Sequence, residues 1–142
     1  KAMAREAIAR AVRRLVRDLD FPVDLHGLET VREADGLAMS SRNRYLSAEE
    51  RAQAPALRAA LLRAQTAWTE GITGGANLRA LVAEHLAAHA PLGRVDYIEV
   101  VDATTLEPLA IARQDQHGLI ATAVFFGRAR LIDNIELKRS PS

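Results

Sequence analysis

Apolar residues in the first part of the chain recur at helical spacing. Residues 4–19 carry them at i, i+3 and i+4, which predicts an amphipathic helix with one apolar stripe. Pro22 should end this helix, because proline disfavours helical geometry in the residue before it. Residues 23–27 then predict a short strand. Helix, turn, strand and polar loop is the order of a unit in a doubly wound sheet, in which ligands bind beyond the carboxyl ends of the strands.

The middle of the chain also has helical spacing, with clear start and stop signals. Ser47 and Glu50 form the capping-box pattern of a short helix that runs to about residue 54. Pro55 should end that helix and begin another over residues 55–70, since proline is tolerated only in a first turn. Gly71 suits the position just past the C-terminus of that second helix.

A third helix is predicted over residues 78–89. The glycine-rich segment 71–76 should be a loop, and Asn77 is the candidate N-cap. His85 and His89 lie at i, i+4 spacing on this helix, which is the spacing of metal ligands. With no third ligand nearby in the sequence, two solvent-facing histidines are the interpretation that we favour over a metal site.

The last third of the chain changes to strand character. Residues 95–101 are β-branched and aromatic-rich, which predicts a strand. Residues 119–126 are apolar on both faces, which predicts the central, most buried strand. Residues 127–130 should turn the chain into a third strand over 131–137. Short connections favour antiparallel pairing, so the fold class is α+β, with helices packed on a small three-stranded antiparallel sheet.

Composition restricts the possible functions. The 142 residues have a net charge of +1, which gives no overall case for a nucleic-acid or membrane partner. Cysteine is absent, which excludes disulfides and thiolate metal sites and fits a cytoplasmic location. The predicted first helix is rich in arginine, and a solvated helix face explains this better than nucleic-acid binding, because no aromatic platform accompanies it. Its arginines are Arg5, Arg10, Arg13, Arg14 and Arg17.

The candidate chemistry lies in the polar loop 31–46. Its centre, Met39-Ser40-Ser41-Arg42-Asn43, places two hydroxyls, a guanidinium and a carboxamide together. Hydroxyls reach single oxygens and arginine grips two at once, so the loop suits an anion such as a nucleotide phosphate. As alternatives, the serines could cap the following helix, and Arg42 could pair with Glu33 or Asp35.

The loop also carries a family resemblance. Residues 32–43 resemble the signature loop of the pantothenate synthetase (pantoate–β-alanine ligase) family, in which Met-Ser-Ser-Arg is the second nucleotide-binding signature. The similarity runs from about residue 13 to 46 and resumes at 95–102 and 127–134. It implies a Rossmann-like nucleotide-binding domain ahead of the loop, of which the first helix and strand would be a remnant.

The resemblance also implies a reaction and a site. ATP and pantoate would give a pantoyl adenylate with Mg²⁺ assisting, and β-alanine would then displace AMP. Arg42, aided by Ser40, is the candidate catalyst through stabilisation of the departing pyrophosphate, and Gly36 is a candidate hinge for loop closure. No metal-ligating residue is assigned. The predicted ATP-binding residues are Val31, Met39, Ser40, Ser41 and Arg42.

Four further residues in or near the family motifs receive structural interpretations. Arg44 and Tyr45 are expected to anchor the loop rather than to touch substrate. Asp133 and Asn134 match a family motif, and we interpret them as a turn at a strand end.

The departures from the family pattern define the expected scope of the chain. The family's first signature, His-x-Gly-His, is absent from the sequence, and the motif Lys-Asp-x-Gln-Gln would fall at residues 4–8, which preserve none of it. The chain therefore resembles the C-terminal half of the enzyme and is expected to be inactive alone. The expected division is 1–30 (nucleotide-binding remnant), 31–46 (ATP loop and hinge) and 47–142 (α+β lid domain).

The same departures bear on partners. Pantoate and β-alanine would bind only with the missing N-terminal half, and an exposed strand edge and helix stripe favour a homo-oligomer. The alternative from a different class of protein function is a non-catalytic interaction module with nucleotide-loop ancestry.

Overall fold

A computed structural model describes residues 13–20, 22, 29–113 and 115–138. The predicted strand 23–27 lies outside these residues, as does most of the predicted helix 4–19. Within the described part of that helix, residues 13–18 are helical. Two residues of its apolar stripe, Leu15 and Leu19, are more than half exposed. The other described residues therefore leave Leu15 and Leu19 uncovered.

The helix that follows the polar loop begins where its capping box predicted. Helix α1 spans Ala48–Gln53. The amide of Glu50 donates to the Ser47 hydroxyl at 3.1 Å, and the amide of Ser47 donates to the Glu50 carboxylate at 2.8 Å. Two amides without helical partners are thus satisfied reciprocally, and the capping-box prediction is confirmed.

Helix α2 spans Ala56–Thr69, with Pro55 at its N-cap at φ −60°. Its C-terminus is a Schellman motif. Gly71 adopts φ +103° and its amide donates to the Trp68 carbonyl at 3.1 Å, while the Ile72 amide donates to Ala67 at 2.9 Å. A left-handed φ favours glycine, so the sequence signal at Gly71 is confirmed.

Helix α3 begins earlier than predicted. It spans Gly75–His89 with Gly74 at the N-cap, so the assignment of Asn77 as N-cap was wrong. The Gly75 amide donates to the Ala110 carbonyl at 2.8 Å, and a Cβ at Gly75 would collide with the carbonyl oxygen of Leu109. A distant segment therefore satisfies the first turn, and the glycine is explained by close backbone approach rather than by a loop.

Three strands form one antiparallel sheet in the order β1-β2-β3: β1 (Arg94–Asp102), β2 (Gly118–Phe126) and β3 (Ala129–Leu137). The central strand β2 is buried at all but one position, as predicted. The turn to β3 is shorter than the predicted 127–130, because only Gly127 and Arg128 lie between the strands. Gly127 adopts φ +58°, which a tight hairpin turn demands at its first central position.

Helices α2 and α3 pack on one face of the sheet, so the predicted α+β class is confirmed. Trp68, Leu61 and Leu78 are almost wholly buried between the two layers together with apolar residues of β2 and β3. Among the described residues, no helix combines the length and the apolar character needed to cross a bilayer.

Candidate nucleotide-binding loop

The polar loop has a defined backbone conformation. Arg32 and Ala38 form an isolated antiparallel bridge, flanked by hydrogen bonds from the Met39 amide to Val31 at 2.9 Å and from the Glu33 amide to Leu37 at 2.8 Å. Residues 33–36 make the turn between the two sides. The start of the loop is therefore a miniature hairpin that places residues 39–42 at one fixed end.

Gly36 occupies the last position of this turn. It adopts φ +92°, its amide donates to Glu33 at 3.0 Å, and its carbonyl accepts from the Arg32 guanidinium at 3.0 Å. Both backbone groups of Gly36 are therefore hydrogen-bonded, and the residue serves as a turn residue in this conformation.

Four of the five predicted ATP-binding residues are exposed next to one another. Val31 and Met39, which the backbone hydrogen bond joins, expose 67% and 53% of their surface, and Ser40 and Ser41 are exposed as well. Exposed apolar side chains of this size beside hydroxyls and a guanidinium suit a ligand with a flat apolar part and an anionic part.

Ser40 caps the 3-10 helix that follows it, Ser41–Tyr45. Its hydroxyl oxygen accepts the Arg42 amide at 3.2 Å. The capping alternative from the sequence is therefore correct for Ser40. The hydroxyl proton is not used in this bond, so the same side chain is able to donate to an anion.

Arg42 is partly buried against the sheet. Its Nη1 donates to the carbonyl oxygen of Arg130 in β3 at 3.4 Å. Asp35, one suggested surface partner, accepts instead from Arg51 of α1 at 2.7 Å. This hydrogen bond from Arg51 holds the pKa of Asp35 below its ordinary value. Within the described part of the chain, Arg42 therefore has no carboxylate partner.

Asn43 fastens the 3-10 helix to the hairpin. Its Nδ2 donates to the Ala38 carbonyl at 3.0 Å. Its Oδ1 is buried, with no hydrogen-bond partner among the described residues. Asn43 therefore stabilises the shape of the loop through this bond to the backbone.

Arg44 and Tyr45 lie at the outer end of the 3-10 helix. Arg44 donates to the Tyr45 hydroxyl at 3.2 Å, and its guanidinium lies 5.1 Å from the ring centroid. The guanidinium of Arg128, in the β2–β3 turn, lies 5.9 Å from the same ring. Tyr45 thus contacts the sheet through Arg128, which supports the anchoring role predicted for this end of the loop.

A buried ion pair joins the loop to the sheet. Arg32 donates through Nη1 and Nη2 to the two carboxylate oxygens of Asp133 at 2.7 and 2.9 Å. The Asp133 side chain is 3% exposed and that of Arg32 is 20% exposed. Asp133 and Asn134 lie in the middle of β3, so their interpretation as a strand-end turn was wrong. Asp133 instead holds a bidentate partner from the loop.

A second guanidinium lies near this pair. Arg58 of α2 packs its side chain against Gly36, where a Cβ would lie 3.4 Å from the Arg58 Cγ. Burial lowers the pKa of Arg58, and the positive charge of Arg32 lowers it further, while Asp133 acts in the opposite direction. The carboxylate of Asp133 therefore has two cationic neighbours beneath the loop.

The histidine pair on α3 lies apart from this loop. The rings of His85 and His89 have centroids 4.3 Å apart. Burial is the main cause that lowers the pKa of His85, with His89 and Arg63 adding to it. The described residues contain no group of three or more His, Cys, Asp or Glu side chains that could hold a metal ion.

Sequence reasoning gave Arg32 no role and assigned Asp133 to the wrong kind of structure. The sequence of β3 carried one signal for Asp133. Apolar residues occupy alternate positions along this strand, and those positions are the buried ones. Asp133 occupies an inward position between Leu131 and Ile135. A carboxylate on the buried face of a strand needs a cation, and Arg32 lies in the other motif of the same resemblance.

Comparison with known proteins shows that an α+β fold with this loop is that of a ligase family. The pantoate-beta-alanine ligase family model matches residues 7–136. The pantothenate synthetase of Desulfovibrio desulfuricans is 52% identical over 126 residues, which cover 89% of this chain and 44% of that protein. The chain belongs to the pantoate-beta-alanine ligase family.

Solved structures show the same similarity. The crystal structure of pantothenate synthetase from Thermus thermophilus matches 92% of this chain and 46% of its own chain, with 45% identity and a TM-score of 0.76. The ligase of Francisella tularensis, solved in complex with beta-gamma ATP and beta-alanine, matches with 21% identity and a TM-score of 0.50, covering 92% of this chain and 40% of its own. The chain thus spans less than half the length of these relatives.

Proposed function

We propose that this chain supplies the ATP loop and the α+β portion of a ligase that condenses pantoate with β-alanine. Family membership supports the ligase class. The observation that carries the nucleotide role is the common exposure of Met39, Ser40 and Ser41 beside Arg42, which has no carboxylate partner among the described residues. The Francisella ligase, whose structure contains an ATP ligand, adds support by analogy.

The reaction proposed for the whole enzyme has two steps. A pantoate carboxylate oxygen attacks the α-phosphorus of ATP, the bond to the β-phosphate breaks, and pyrophosphate leaves. The amine of β-alanine then attacks the acyl carbon of pantoyl adenylate, loses a proton, and AMP leaves. Negative charge accumulates on pyrophosphate in the first step, so a positioned cation lowers that barrier.

The proposed roles follow from the loop geometry. Arg42 stabilises the departing pyrophosphate, because its guanidinium carries a charge that no described carboxylate neutralises. Ser40 donates its hydroxyl proton to a phosphate oxygen while it caps the 3-10 helix, and Ser41 binds another oxygen. Val31 and Met39 hold the adenine, with a Val31 backbone group at its polar edge.

The proposal includes Mg²⁺ only as an ion bound to the phosphates of ATP. No described cluster of three acidic or histidine side chains is available to form a protein cage for it. Mg²⁺ in nucleotide sites usually keeps several waters and binds substrate phosphates with only one or two carboxylates, so the proposal assigns it no protein cage. When bound, the ion would neutralise phosphate charge, and the side chains of the loop would orient the nucleotide.

We also propose which part of the enzyme these residues represent. Pantoate and β-alanine would bind residues beyond these 142, so the chain alone would not form pantothenate. Residues 1–30, 31–46 and 47–142 would act as nucleotide-domain remnant, ATP loop and lid. The enzyme would work in the cytoplasm. The exposed Leu15 and Leu19 support self-association, and they are also the observation that favours the alternative of an interaction module.

Calorimetric titration of the 142-residue chain with ATP tests the proposal. Arg42→Ala should weaken ATP binding about 10-fold or more, as expected for loss of a hydrogen bond between charged groups. The matched control is Arg44→Ala in the same 3-10 helix, which should leave affinity unchanged, because among the described residues the Arg44 side chain hydrogen-bonds to Tyr45 alone and Tyr45 keeps its contact with Arg128. No ATP binding by the unaltered chain, or equal losses in both variants, would refute the nucleotide role.

A further inference from the structure

The Arg32–Asp133 pair lies between the proposed ATP loop and the sheet. Asp133 comes from the buried face of β3, and Arg32 is a hydrogen-bonded member of the loop hairpin. The pair forms two short hydrogen bonds, and Arg32 adds a third bond to the Gly36 carbonyl at 3.0 Å. A single guanidinium thus connects the strand, the first side of the hairpin and its turn.

The geometry of this contact is specific. A planar guanidinium that meets both carboxylate oxygens fixes orientation as well as distance, which an ammonium does not. Asp133 is further oriented by the Asn134 amide, which donates to its Oδ1 at 2.8 Å. Both ends of the pair are therefore held by backbone, so the position of the hairpin on β3 is set within narrow limits.

The second contact of the loop with β3 depends on that position. Arg42 donates to the Arg130 carbonyl at 3.4 Å, near the long end of hydrogen-bond distances. Arg130 precedes Asp133 by three residues on the same strand. A shift of the hairpin would break the weaker contact first and would move the Arg42 guanidinium away from its present place.

We propose that Arg32 and Asp133 are positioning residues for nucleotide binding: their buried bidentate pair sets the hairpin on β3 and thereby places Ser40, Ser41 and Arg42 together. This inference rests on the proposed ATP role of the loop. Neither side chain touches the nucleotide. Their effect is to hold the binding groups in register before ATP arrives, which reduces the ordering cost of binding.

The test must separate position from folding. Removing one partner alone would leave a buried charge unpaired, which destabilises proteins strongly. The double variant Arg32→Met/Asp133→Leu removes both charges and fills their place with apolar side chains, a replacement that is often neutral for stability. Arg58 then loses one repulsive and one attractive neighbour together, so its environment changes little in net charge.

Two measurements follow on this double variant. Hydrogen exchange of the Glu33 and Met39 amides, which close the hairpin, should accelerate about tenfold or more, while β2 amides stay protected. ATP affinity should fall about tenfold or more at an unchanged melting temperature, because a displaced loop loses hydrogen bonds to the charged phosphates. Unchanged exchange and unchanged affinity in a folded variant would overturn the proposal.

A matched control exists in the same loop. Asp35 and Arg51 also join the hairpin to a helix at 2.7 Å, but both side chains are more than a third exposed. Arg51→Met should therefore leave exchange and affinity close to those of the unaltered chain. An effect as large as that of the double variant would mean that any contact with the hairpin suffices, and would overturn the special role of the buried pair.

The conservative variant Arg32→Lys provides a further readout. It keeps the charge but lacks the planar fork, so amide protection and ATP affinity should recover only partly. Full recovery would refute the bidentate mechanism. If the unaltered chain binds no ATP, the proposed function fails, whereas faster exchange at Glu33 and Met39 in the double variant would still support the positioning role.

Discussion

Arg42 donates to the carbonyl oxygen of Arg130 across 3.4 Å, from the loop to the third strand of the sheet. This bond uses one of the five N–H groups of the guanidinium, and no other hydrogen bond of this side chain involves a described residue. The sheet therefore orients the Arg42 side chain, and its other N–H groups remain available to a ligand. A guanidinium that the protein holds in place, with N–H groups still free, is able to stabilise the charge on a departing anion.

Arg42→Lys separates the charge of this residue from its shape. The lysine keeps one positive charge but cannot donate in a fork, so ATP affinity should fall, but by less than in Arg42→Ala. Titration with AMP gives the internal control. If the guanidinium binds the β- or γ-phosphate, AMP affinity should be the same in both variants and in the unaltered chain, and an equal loss for AMP would contradict that placement.

Two adjacent leucines on α2 test how stability depends on burial. Leu61 is fully buried, whereas Leu62 is 42% exposed. Leu61→Ala should lower the free energy of unfolding by about 2–5 kcal/mol, because a cavity remains in the core. Leu62→Ala should cost less than about 1 kcal/mol. Urea unfolding with an unchanged m-value measures both, and similar losses would show that the two sites are not packed as described.

His85 makes stability depend on pH. Its pKa is lowered by burial, by His89 and by Arg63, so the unfolded chain, with a pKa of about 6.5, takes up the proton first. The contribution of His85 to the free energy of unfolding should therefore be fully present above pH ~6.5. It should decrease as the pH drops from there to the folded-state pKa.

His85→Gln should remove this pH-dependent component, and His89→Gln should reduce it, because only one of the three causes is removed. Melting temperatures across this pH range and the NMR titration of the His85 ring check the prediction. An unaltered slope in His85→Gln would contradict it.

Local signals gave the helices and strands with good accuracy. The capping box at Ser47, the proline at 55 and the glycine at 71 act within a few residues, so the sequence was enough to place α1 and both ends of α2. The start of α3 could not be read in this way. It depends on the contact of Gly75 with Leu109 and Ala110, residues far along the chain.

The loop shows the same division. Its residue types and their resemblance to a family were sufficient to select Val31, Met39, Ser40, Ser41 and Arg42 as candidates. Nothing in the local pattern revealed that Arg32 lies on Asp133, 101 residues away in sequence. The fold determines which residue pairs with a buried carboxylate, because any of several arginines in the sequence could have supplied the positive charge.

By itself, the sequence determined the family, the α+β class and the polar groups of the loop, since these follow from residue type and short-range spacing. Only the tertiary structure decided how the loop is held: which arginine is buried, which carboxylate it meets and which arginine keeps its donors free. The physical reason is that burial and charge pairing depend on segments brought together by packing, and a linear pattern does not specify which segments meet.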